Sequence, residues 1–368
     1  MRILQLGKFY PIIGGVERVM YDLVEGISKL HIQVDMLCAS NSNKSHEIIV
    51  NDYAKIYCTA TWKKMLATMI SPQMIIQLRK IAAQYDIIHV HHPDPMAALS
   101  LFFSGYKGKV VLHWHSDILK QKIALKLFMP LQNWLINRAN VIVGTTPKYI
   151  EESPFLQNVN LRKIAIPIGI EPILGDKNKV EEIRHRYNGK KIIFSLGRLV
   201  GYKGFPFLID AALSLPDDYV ILIGGGGPLK ENLEAQIKSK GLSSKVHLLG
   251  RVPDEDLPDY FEACDVYVMS SIWKTEAFGI VQIEAMSCGK PIVATKIPGS
   301  GVSWVNEDMV TGLNVEPENA EAIADAILKI TSNREAYMTY SNNAKKRYEQ
   351  LFQKEMMIEK CLALYKNL

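Results

Sequence analysis

The chain has 368 residues, of which 48% are hydrophobic and 22% charged, which excludes a disordered chain and predicts two domains rather than one compact core. No stretch reaches the 18 apolar residues of a membrane-spanning helix, and the first ten residues predict a strand rather than a signal peptide. The five cysteines are scattered without a C-x-x-C pair, which favours a reducing compartment and argues against disulfides and zinc.

The net charge of +5 is unevenly distributed along the chain. Residues 1–175 carry +7 and the remainder carries −2, and the segment 53–148 alone carries +9. A basic excess of this kind predicts an anionic partner for the first half of the chain.

Short β-rich runs alternate with amphipathic helical stretches, which is typical of parallel sheets built from βαβ units. In the first half we predict strands at 3–6, 33–37, 87–91, 109–113 and 141–144, and helices at 15–29, 71–84, 95–105, 123–137 and 147–152. After the Pro- and Gly-marked segment IPIGIEPILGD the pattern restarts, with strands at 191–196, 219–223, 246–249, 266–269, 291–294 and 312–315. The chain therefore predicts two doubly wound domains that join near 166–190.

Glycines follow two predicted strands at points where a ligand could approach the backbone. Gly14 and Gly15 open the first helix and either approach a phosphate or sugar or make a tight turn. The run VILIGGGGPL resembles a dinucleotide fingerprint only weakly, because Leu229 occupies the third glycine position and Pro228 the turn. A nicotinamide-dependent oxidoreductase is therefore the less favoured interpretation.

Five of the nine histidines lie in the segments HVHH and HWHSD, each at the end of a predicted strand. His113 and His115 would point to one face of their strand, so a metal cluster is conceivable. No acidic or cysteine ligand completes either group at the usual spacing, so we expect no metal. The favoured alternative is that one or two of these imidazoles contact a ligand and that the others are packed in the protein or cap secondary structure.

Two cations and two carboxylates mark the second domain. In FSLGRLVGYKGF, Arg198 and Lys203 can both reach a point near a strand end, as suits a diphosphate, although unrelated solvated charges are the alternative. In KTEAFGIVQIEAMSCGKP, Glu276 and Glu284 flank an apolar run; Glu276 suits a helix mouth, and Glu284 is either functional or a surface residue. The D-x-D of PDEDLPDY is expected to cap a helix at 257–263 rather than bind a metal.

The order of these motifs resembles the retaining GT-B glycosyltransferases of glycosyltransferase family four, which includes glycogen synthases and phosphatidylinositol mannosyltransferases. The motifs are Gly-Gly after the first strand, His-Ser-Asp, G-R-x4-K-G, G-x-G-P, G-R-V and E-x7-E, and the resemblance extends from residue 1 to about residue 316. It implies an α/β GT-B fold of two doubly wound Rossmann-like domains that face each other across a cleft. The domains expected are 1–170 for the acceptor, 171–350 for the nucleotide sugar, and a C-terminal helix at 351–368 that packs back toward the first domain.

The resemblance also implies roles for individual residues. Glu284 would accept hydrogen bonds from the nucleotide ribose, Glu276 would lie beside the donor sugar, and Arg198 with Lys203 would stabilise the diphosphate leaving group. His115 would meet the sugar near its reacting carbon. The remaining contacts to the nucleotide sugar would come from glycine, amide and base-pocket positions, namely Gly14, Gly15, Gly226, Arg251, Val252, Ala277, Phe278 and Gly279.

Two positions depart from the family pattern or leave it open. Many relatives carry Asn-Gly-Val/Ile-Asp at the hinge, whereas IPIGIE places Ile168 and Glu171 there. Gln282 lies between the two motif glutamates, where it could contact the sugar or lie on the helix surface.

The implied activity is metal-independent transfer of a hexose, with retention, from GDP-mannose or a UDP-sugar to a lipid-linked saccharide in surface polysaccharide or lipopolysaccharide assembly. No cofactor is expected, because the cations and the helix dipole would stabilise the diphosphate. The alternatives are a nucleotide-sugar epimerase of the same fold and a non-catalytic nucleotide-sugar-binding module.

The basic excess in 53–148 coincides with large apolar residues. The segments WKKMLATMI and LKQKIALKLFMPLQNWLINR interleave lysines with aromatic and aliphatic residues at near-helical spacing. This pattern suits a surface helix in an anionic lipid headgroup layer, although an ordinary core-facing stripe is the alternative. We expect a cytoplasmic protein, peripheral on the inner face of the cytoplasmic membrane, that does not bind nucleic acid.

Overall fold

The computed structural model describes residues 1–65, 68–119 and 122–368, and these residues form two compact units. Unit 1 comprises Met1–Gly169 and Lys354–Leu368, and unit 2 comprises Ile170–Gln353. The expected domain boundary at 170/171 lies one residue from this division. Among the described helices, none combines the length and apolarity that a membrane crossing requires.

Unit 1 is built on an eight-stranded sheet in the order β10-β9-β8-β7-β1-β2-β4-β3, in which only the β3–β4 pairing is antiparallel. A separate hairpin consists of β5 and β6. The strands are β1 (Arg2–Tyr10), β2 (Gln33–Ser40), β3 (His46–Asn51), β4 (Ala54–Thr59), β5 (Lys63–Met65), β6 (Thr68–Ile70), β7 (Ile87–His92), β8 (Lys109–Trp114), β9 (Val141–Gly144) and β10 (Lys163–Ala165). The helices are α1 (Gly15–Lys29), α2 (Pro72–Ile81), α3 (Pro95–Ser104), α4 (Lys122–Arg138) and α5 (Pro147–Glu152).

Unit 2 is built on a six-stranded parallel sheet in the order β13-β12-β11-β14-β15-β16. Its strands are β11 (Lys191–Leu196), β12 (Tyr219–Gly224), β13 (Val246–Gly250), β14 (Val266–Met269), β15 (Ile292–Thr295) and β16 (Gly312–Val315). Its helices are α6 (Lys177–Arg186), α7 (Phe205–Ala211), α8 (Lys230–Ser239), α9 (Leu257–Ala263), α10 (Ile280–Ser287), α11 (Val302–Val305), α12 (Ala320–Thr331) and α13 (Arg334–Leu351). The central strands are continuous apolar runs because helices cover both faces of a parallel sheet.

The last helix, α14 (Lys354–Lys366), belongs to unit 1 and packs on α1. The Lys354 ammonium is almost fully buried and lies 2.6 Å from Oε2 of Glu25 and 3.5 Å from Oδ1 of Asp22. A Cβ on Gly26 would lie 2.0 Å from Cδ1 of Ile358, so the Ile358 side chain packs directly against the backbone of α1 at this glycine. Helix α14, which follows unit 2 in sequence, is thus part of unit 1.

Five strands of unit 1 were not predicted from the sequence, namely β3, β4, β5, β6 and β10. The hairpin β3–β4, with a turn at Asp52-Tyr53, was not predicted, because β3 is an edge strand without a continuous buried run. The helical prediction for WKKMLATMI is wrong: Lys63 pairs with Ile70 and Met65 with Thr68 in the antiparallel hairpin β5–β6. Leu66, Ala67, Lys120 and Gln121, which belong to the two basic segments, lie outside the described residues.

Candidate functional site

The loops that follow β11 and β14 diverge at the reversal of strand order in unit 2. Strand β11 pairs with β12 on one side and β14 on the other, so the crevice between their carboxyl ends is the usual ligand position of a doubly wound sheet. Arg198 and Lys203 lie on the first of these loops, and Glu276 lies on the second. The structure therefore brings the predicted cations and the first carboxylate to one sheet edge.

Lys203 and Glu276 form a nearly buried ion pair. Nζ of Lys203 lies 2.6 Å from Oε2 of Glu276, and the side chains are only 9% and 13% exposed. The Ser271 hydroxyl donates to the same oxygen at 3.0 Å. The loop after β11 packs closely against the loop after β14 at Gly204. There φ is +67°, and a Cβ would lie 2.0 Å from the carbonyl oxygen of Ser270. This close approach requires glycine and fixes the position of the lysine.

The segment 276–279 presents its amides to one side. The carbonyl of Glu276 accepts from the Ser300 hydroxyl, that of Ala277 accepts from the Gly301 N–H at 2.9 Å, and that of Phe278 accepts from Gln282 Nε2 at 3.3 Å. In a trans peptide the N–H points opposite to the carbonyl. The three following N–H groups therefore point away from that loop, and among the described residues they have no acceptor: Ala277, Phe278 and Gly279.

Gln282 supports this arrangement from inside the protein. Its side chain is fully buried, and Nε2 donates to the carbonyls of Phe278 and Val302 at 3.3 and 3.4 Å, while Oε1 has no partner among the described residues. The helix-surface position left open by the sequence is therefore wrong, and the sugar contact stays a prediction. Helix α10 begins at Ile280, directly after its N-cap Gly279, which adopts a left-handed φ of +79°.

Glu284 lies on α10, and Arg198 lies on the loop that follows β11. Glu284 is the fifth residue of α10 and is half-buried. Arg198 is exposed, and its guanidinium has no ion-pair partner in the described part of the chain. An unpaired guanidinium near a strand end can still bind an anion.

The glycine run after β12 serves loop packing. A Cβ on Gly225 would lie 1.9 Å from the Gly197 carbonyl oxygen, and one on Gly227 would lie 2.6 Å from that of Leu199. Gly226 faces open space, and Leu199 donates to its carbonyl at 3.0 Å. Of the base-pocket residues predicted after β13, Arg251 is exposed and Val252 is buried.

The acidic D-x-D segment lies at the start of α9. Asp256 occupies the N-cap position, but its side chain makes no capping hydrogen bond and instead lies 2.7 Å from Nζ of Lys179. The predicted position is thus correct and the predicted capping bond is wrong. The acidic side chain meets a neighbouring lysine, as surface carboxylates commonly do.

The unit 1 positions lie at two other strand ends. Gly14 is the N-cap of α1 and Gly15 its first residue, and both are exposed. A Cβ on Gly14 would lie 2.5 Å from Oε2 of Glu17, so this carboxylate folds back over the helix start. His115 follows β8 and is only 4% exposed.

The histidines of β7 and β8 form one buried group. The rings of His89, His91, His113 and His115 lie 4.0–5.3 Å apart between neighbouring centroids. Burial lowers the pKa of each imidazole, to about 3 for His113, so the group is uncharged at neutral pH.

Three of these imidazoles have nitrogens within 4.8 Å of one another, a spacing that a metal could use: His89, His91 and His113. Both nitrogens of His91 are already hydrogen-bonded, to Gln5 Oε1 at 2.7 Å and to His115 Nε2 at 2.9 Å. Coordination by all three would therefore break one of those bonds.

Sequence reasoning missed the residues that support the site. No sequence motif includes Ser271, Ser300 or Gln5. The one local signal is the pair of glycines that flank Ser300 in PGSGV, which indicate a loop whose backbone packs closely against its neighbours. Their contacts join positions 5 to 86 residues apart in sequence.

Comparison with known proteins gives consistent matches over both units. Residues 13–166 match the family described as Glycosyltransferase Family 4, and residues 176–347 match Glycosyl transferases group 1. The chain is 30% identical to O-antigen chain mannosyltransferase C of Escherichia coli, covering 100% of this chain and 99% of the relative. It is 31% identical to D-rhamnosyltransferase WbpZ of Pseudomonas aeruginosa, covering 96% and 92%.

The fold matches solved structures at lower identity. The Anabaena Alr3699/HepE structure in complex with UDP superposes with a TM-score of 0.79 at 20% identity, covering all of both chains. WaaG, described as a glycosyltransferase involved in lipopolysaccharide biosynthesis, gives a TM-score of 0.70 at 17% identity and covers 98% of each chain. At these identities the likeness establishes the GT-B fold.

Proposed function

This chain belongs to glycosyltransferase family four, of the bacterial surface-polysaccharide type, and from that premise we propose that it transfers a hexose with retention from a nucleotide diphosphate sugar to a lipid-linked saccharide. The two relatives that span almost the whole chain are named for mannosyl and D-rhamnosyl transfer. D-Rhamnose is 6-deoxymannose, so both names support a manno-configured sugar. GDP-mannose is therefore the first donor to test, with UDP-sugars next.

The observation that carries the proposal is the set of three consecutive N–H groups at Ala277, Phe278 and Gly279, which have no acceptor in the described part of the chain and follow Glu276 of the Lys203–Glu276 pair. Backbone amides at a helix start suit the oxygens of a sugar phosphate. Lys203 has three donors, of which Glu276 takes one, so the ammonium can also meet the diphosphate as its charge grows. Arg198 would add a second cation, and Glu284 would accept from the ribose.

For the reaction itself we propose that the acceptor hydroxyl attacks from the face that the nucleotide leaves. A donor phosphate oxygen would take the acceptor proton as the bond from the sugar carbon to the diphosphate breaks. This route uses no nucleophile from the protein and no metal, because Lys203, Arg198 and the amides would stabilise the leaving group.

We propose that unit 1 docks on the inner, anionic face of the cytoplasmic membrane. The support is a set of exposed apolar side chains beside lysines: Trp62 and Leu127 are 80% and 82% exposed, and Lys63, Lys64 and Lys126 are exposed near them in sequence. Apolar and basic side chains together favour a lipid headgroup layer.

A donor screen tests the function directly. Thermal unfolding is measured with GDP, UDP, GDP-mannose and UDP-sugars, and the stabilising donor is then incubated with and without a lipid-linked saccharide extract. A sugar-extended lipid product with the acceptor, and slow hydrolysis or no reaction without it, supports the transferase. Interconversion of the donor sugar without acceptor supports the epimerase, and binding without any turnover supports the non-catalytic module.

A further inference from the structure

A chain of buried hydrogen bonds joins the C-terminal helix to His115. Gln5 Nε2 lies 3.2 Å from the Tyr365 hydroxyl, which also contacts Nδ1 of His89. Gln5 Oε1 lies 2.7 Å from Nε2 of His91, and Nδ1 of His91 lies 2.9 Å from Nε2 of His115. All five side chains are at most 4% exposed.

The direction of these hydrogen bonds follows from Gln5. Its Oε1 can only accept, so Nε2 of His91 must carry the proton. Burial lowers the pKa of His91 well below its usual value, so the ring is neutral and Nδ1 holds a lone pair. That lone pair requires a donor, so the proton of His115 is on Nε2. Burial also lowers the pKa of His115, and its Nδ1 therefore holds a lone pair.

The other end of the Gln5 amide contacts Tyr365, on α14. The amide nitrogen donates to the hydroxyl oxygen of Tyr365, whose proton then goes to Nδ1 of His89. The opposite amide orientation would reverse every bond of the chain and place the His115 proton on Nδ1. The orientation of the Gln5 amide thus decides which nitrogen of His115 is an acceptor.

Nδ1 of His115 is buried and has no hydrogen-bond partner among the described residues. Buried polar atoms are rarely left without a partner. A lone-pair nitrogen accepts from an O–H and is repelled by an anionic oxygen, so it suits a sugar hydroxyl and not a phosphate.

We propose that Gln5, hydrogen-bonded to Tyr365, is a positioning residue that fixes His115 in the tautomer with its lone pair on Nδ1, so that His115 accepts a hydrogen bond from a hydroxyl of the bound sugar. The ligand in this inference rests on the proposed function, whereas the tautomer does not. The two can therefore fail separately.

The test is the nitrogen spectrum of the full chain with ¹⁵N-labelled histidine, without ligand, at pH 7.5. Loss of a signal pair in His115→Gln assigns the residue. The expected result is a protonated Nε2 and an unprotonated Nδ1 on His115 in the wild type, and a mixture of tautomers in Gln5→Leu. Gln5→Glu keeps an acceptor for His91 and should retain the wild-type pattern. Gln132→Leu, which removes another buried glutamine of unit 1 outside this chain of bonds, is the matched control.

Tyr365→Phe provides a second route if Gln5→Leu does not fold, and it should also give mixed tautomers because the amide loses its hydrogen-bond partner. With the identified donor, kcat of Gln5→Leu should fall about tenfold, which corresponds to about 1.4 kcal/mol. The kcat of Gln5→Glu and of Gln132→Leu should fall by a smaller factor. A wild-type His115 protonated on Nδ1, or one tautomer unchanged in both Gln5→Leu and Tyr365→Phe, overturns the positioning role. If the wild type shows the expected tautomer and the variants show mixed tautomers, but Gln5→Leu and Tyr365→Phe both keep the wild-type kcat, the hydroxyl contact is overturned and the positioning role remains.

Discussion

The ammonium of Lys203 and the carboxylate of Glu276 lie 2.6 Å apart with little solvent around them, although 73 residues separate them in sequence. A pair so placed is costly to break, because either partner alone leaves an uncompensated charge in a poorly hydrated position. The same two groups are the proposed contacts to the leaving diphosphate and the donor sugar. Their substitutions should therefore affect both stability and turnover.

We predict that Lys203→Ala and Glu276→Ala each lower turnover at least about a hundredfold while the protein remains folded. Each single change should also lower the free energy of unfolding by about 3–5 kcal/mol, because it leaves the other charge unpaired. The variant Lys203→Met with Glu276→Gln should regain part of that stability without regaining activity. Denaturant unfolding and initial rates measure the two effects, and full additivity of the single changes would contradict the coupling.

Glu284→Ala should weaken nucleotide binding about ten- to a hundredfold, the effect of losing about 1.5–3 kcal/mol of hydrogen bonding to a charged acceptor. Turnover at saturating donor should change much less. Calorimetric titration with GDP and UDP measures the affinity, and the exposed Glu181→Ala serves as control. An affinity loss in Glu276→Ala as large as in Glu284→Ala, at unchanged turnover, would argue against separate roles for the two glutamates.

Activity should survive an excess of EDTA, because side-chain cations and helix amides are proposed to stabilise the diphosphate. Asp254→Asn and Asp256→Asn should change the rate little, since Asp256 forms an exposed ion pair with Lys179, a type that contributes at most about 1 kcal/mol. The assay compares metal-free enzyme with and without Mg²⁺ or Mn²⁺. Activity that strictly requires Mg²⁺ or Mn²⁺, and that Asp254→Asn or Asp256→Asn abolishes, would contradict metal-independent catalysis and assign the metal to the D-x-D segment.

Acid should destabilise the protein through the buried histidines of unit 1. In the unfolded chain they take up protons near pH 6.5, whereas burial lowers the pKa of the folded imidazoles, to about 3 for His113. Between those values the unfolded state binds more protons, so the free energy of unfolding falls as the pH falls below about 6.5. Thermal unfolding from pH 7.5 to 4.5 should show this decline.

His113→Leu should make the free energy of unfolding depend less steeply on pH, by about 1.4 kcal/mol per pH unit, because one proton is no longer taken up on unfolding. Neither ring nitrogen of His113 has a partner among the described residues, so the change leaves no hydrogen-bond partner unpaired. The exposed His185→Gln is the control. An equal slope in wild type and His113→Leu would show that this imidazole is not kept neutral in the folded state.

Co-sedimentation with anionic vesicles should exceed that with neutral vesicles and should weaken with added salt. Changing Lys63, Lys64 and Lys126 to glutamate should abolish the preference. Changing two exposed lysines of unit 2, Lys238 and Lys346, to glutamate adds similar charge elsewhere and should preserve it. Equal binding to both vesicle types, or binding insensitive to salt, would exclude electrostatic docking.

Several elements of the fold could be read from the sequence because their signals are local. The strands at Lys191–Leu196, Val266–Met269 and Gly312–Val315 and the helix Gly15–Lys29 have the bounds predicted from apolar runs and glycine stops. The hairpins β3–β4 and β5–β6 were not predicted. Strands β3, β5 and β6 are exposed or half-buried and show no apolar alternation, whereas β4 is mostly buried but only six residues long.

The sequence by itself determined the two-domain α/β architecture, the family and the strand ends at which the candidate site residues lie, because apolar periodicity and glycine positions act over a few residues. Only the tertiary structure decided that Lys203 pairs with Glu276, that Gln282 is buried, and that Tyr365 reaches Gln5 beside the histidines. Those contacts join residues up to 360 positions apart. They depend on strand register and helix docking, which are set by the packing of the whole unit and leave no mark on any short stretch of one sequence.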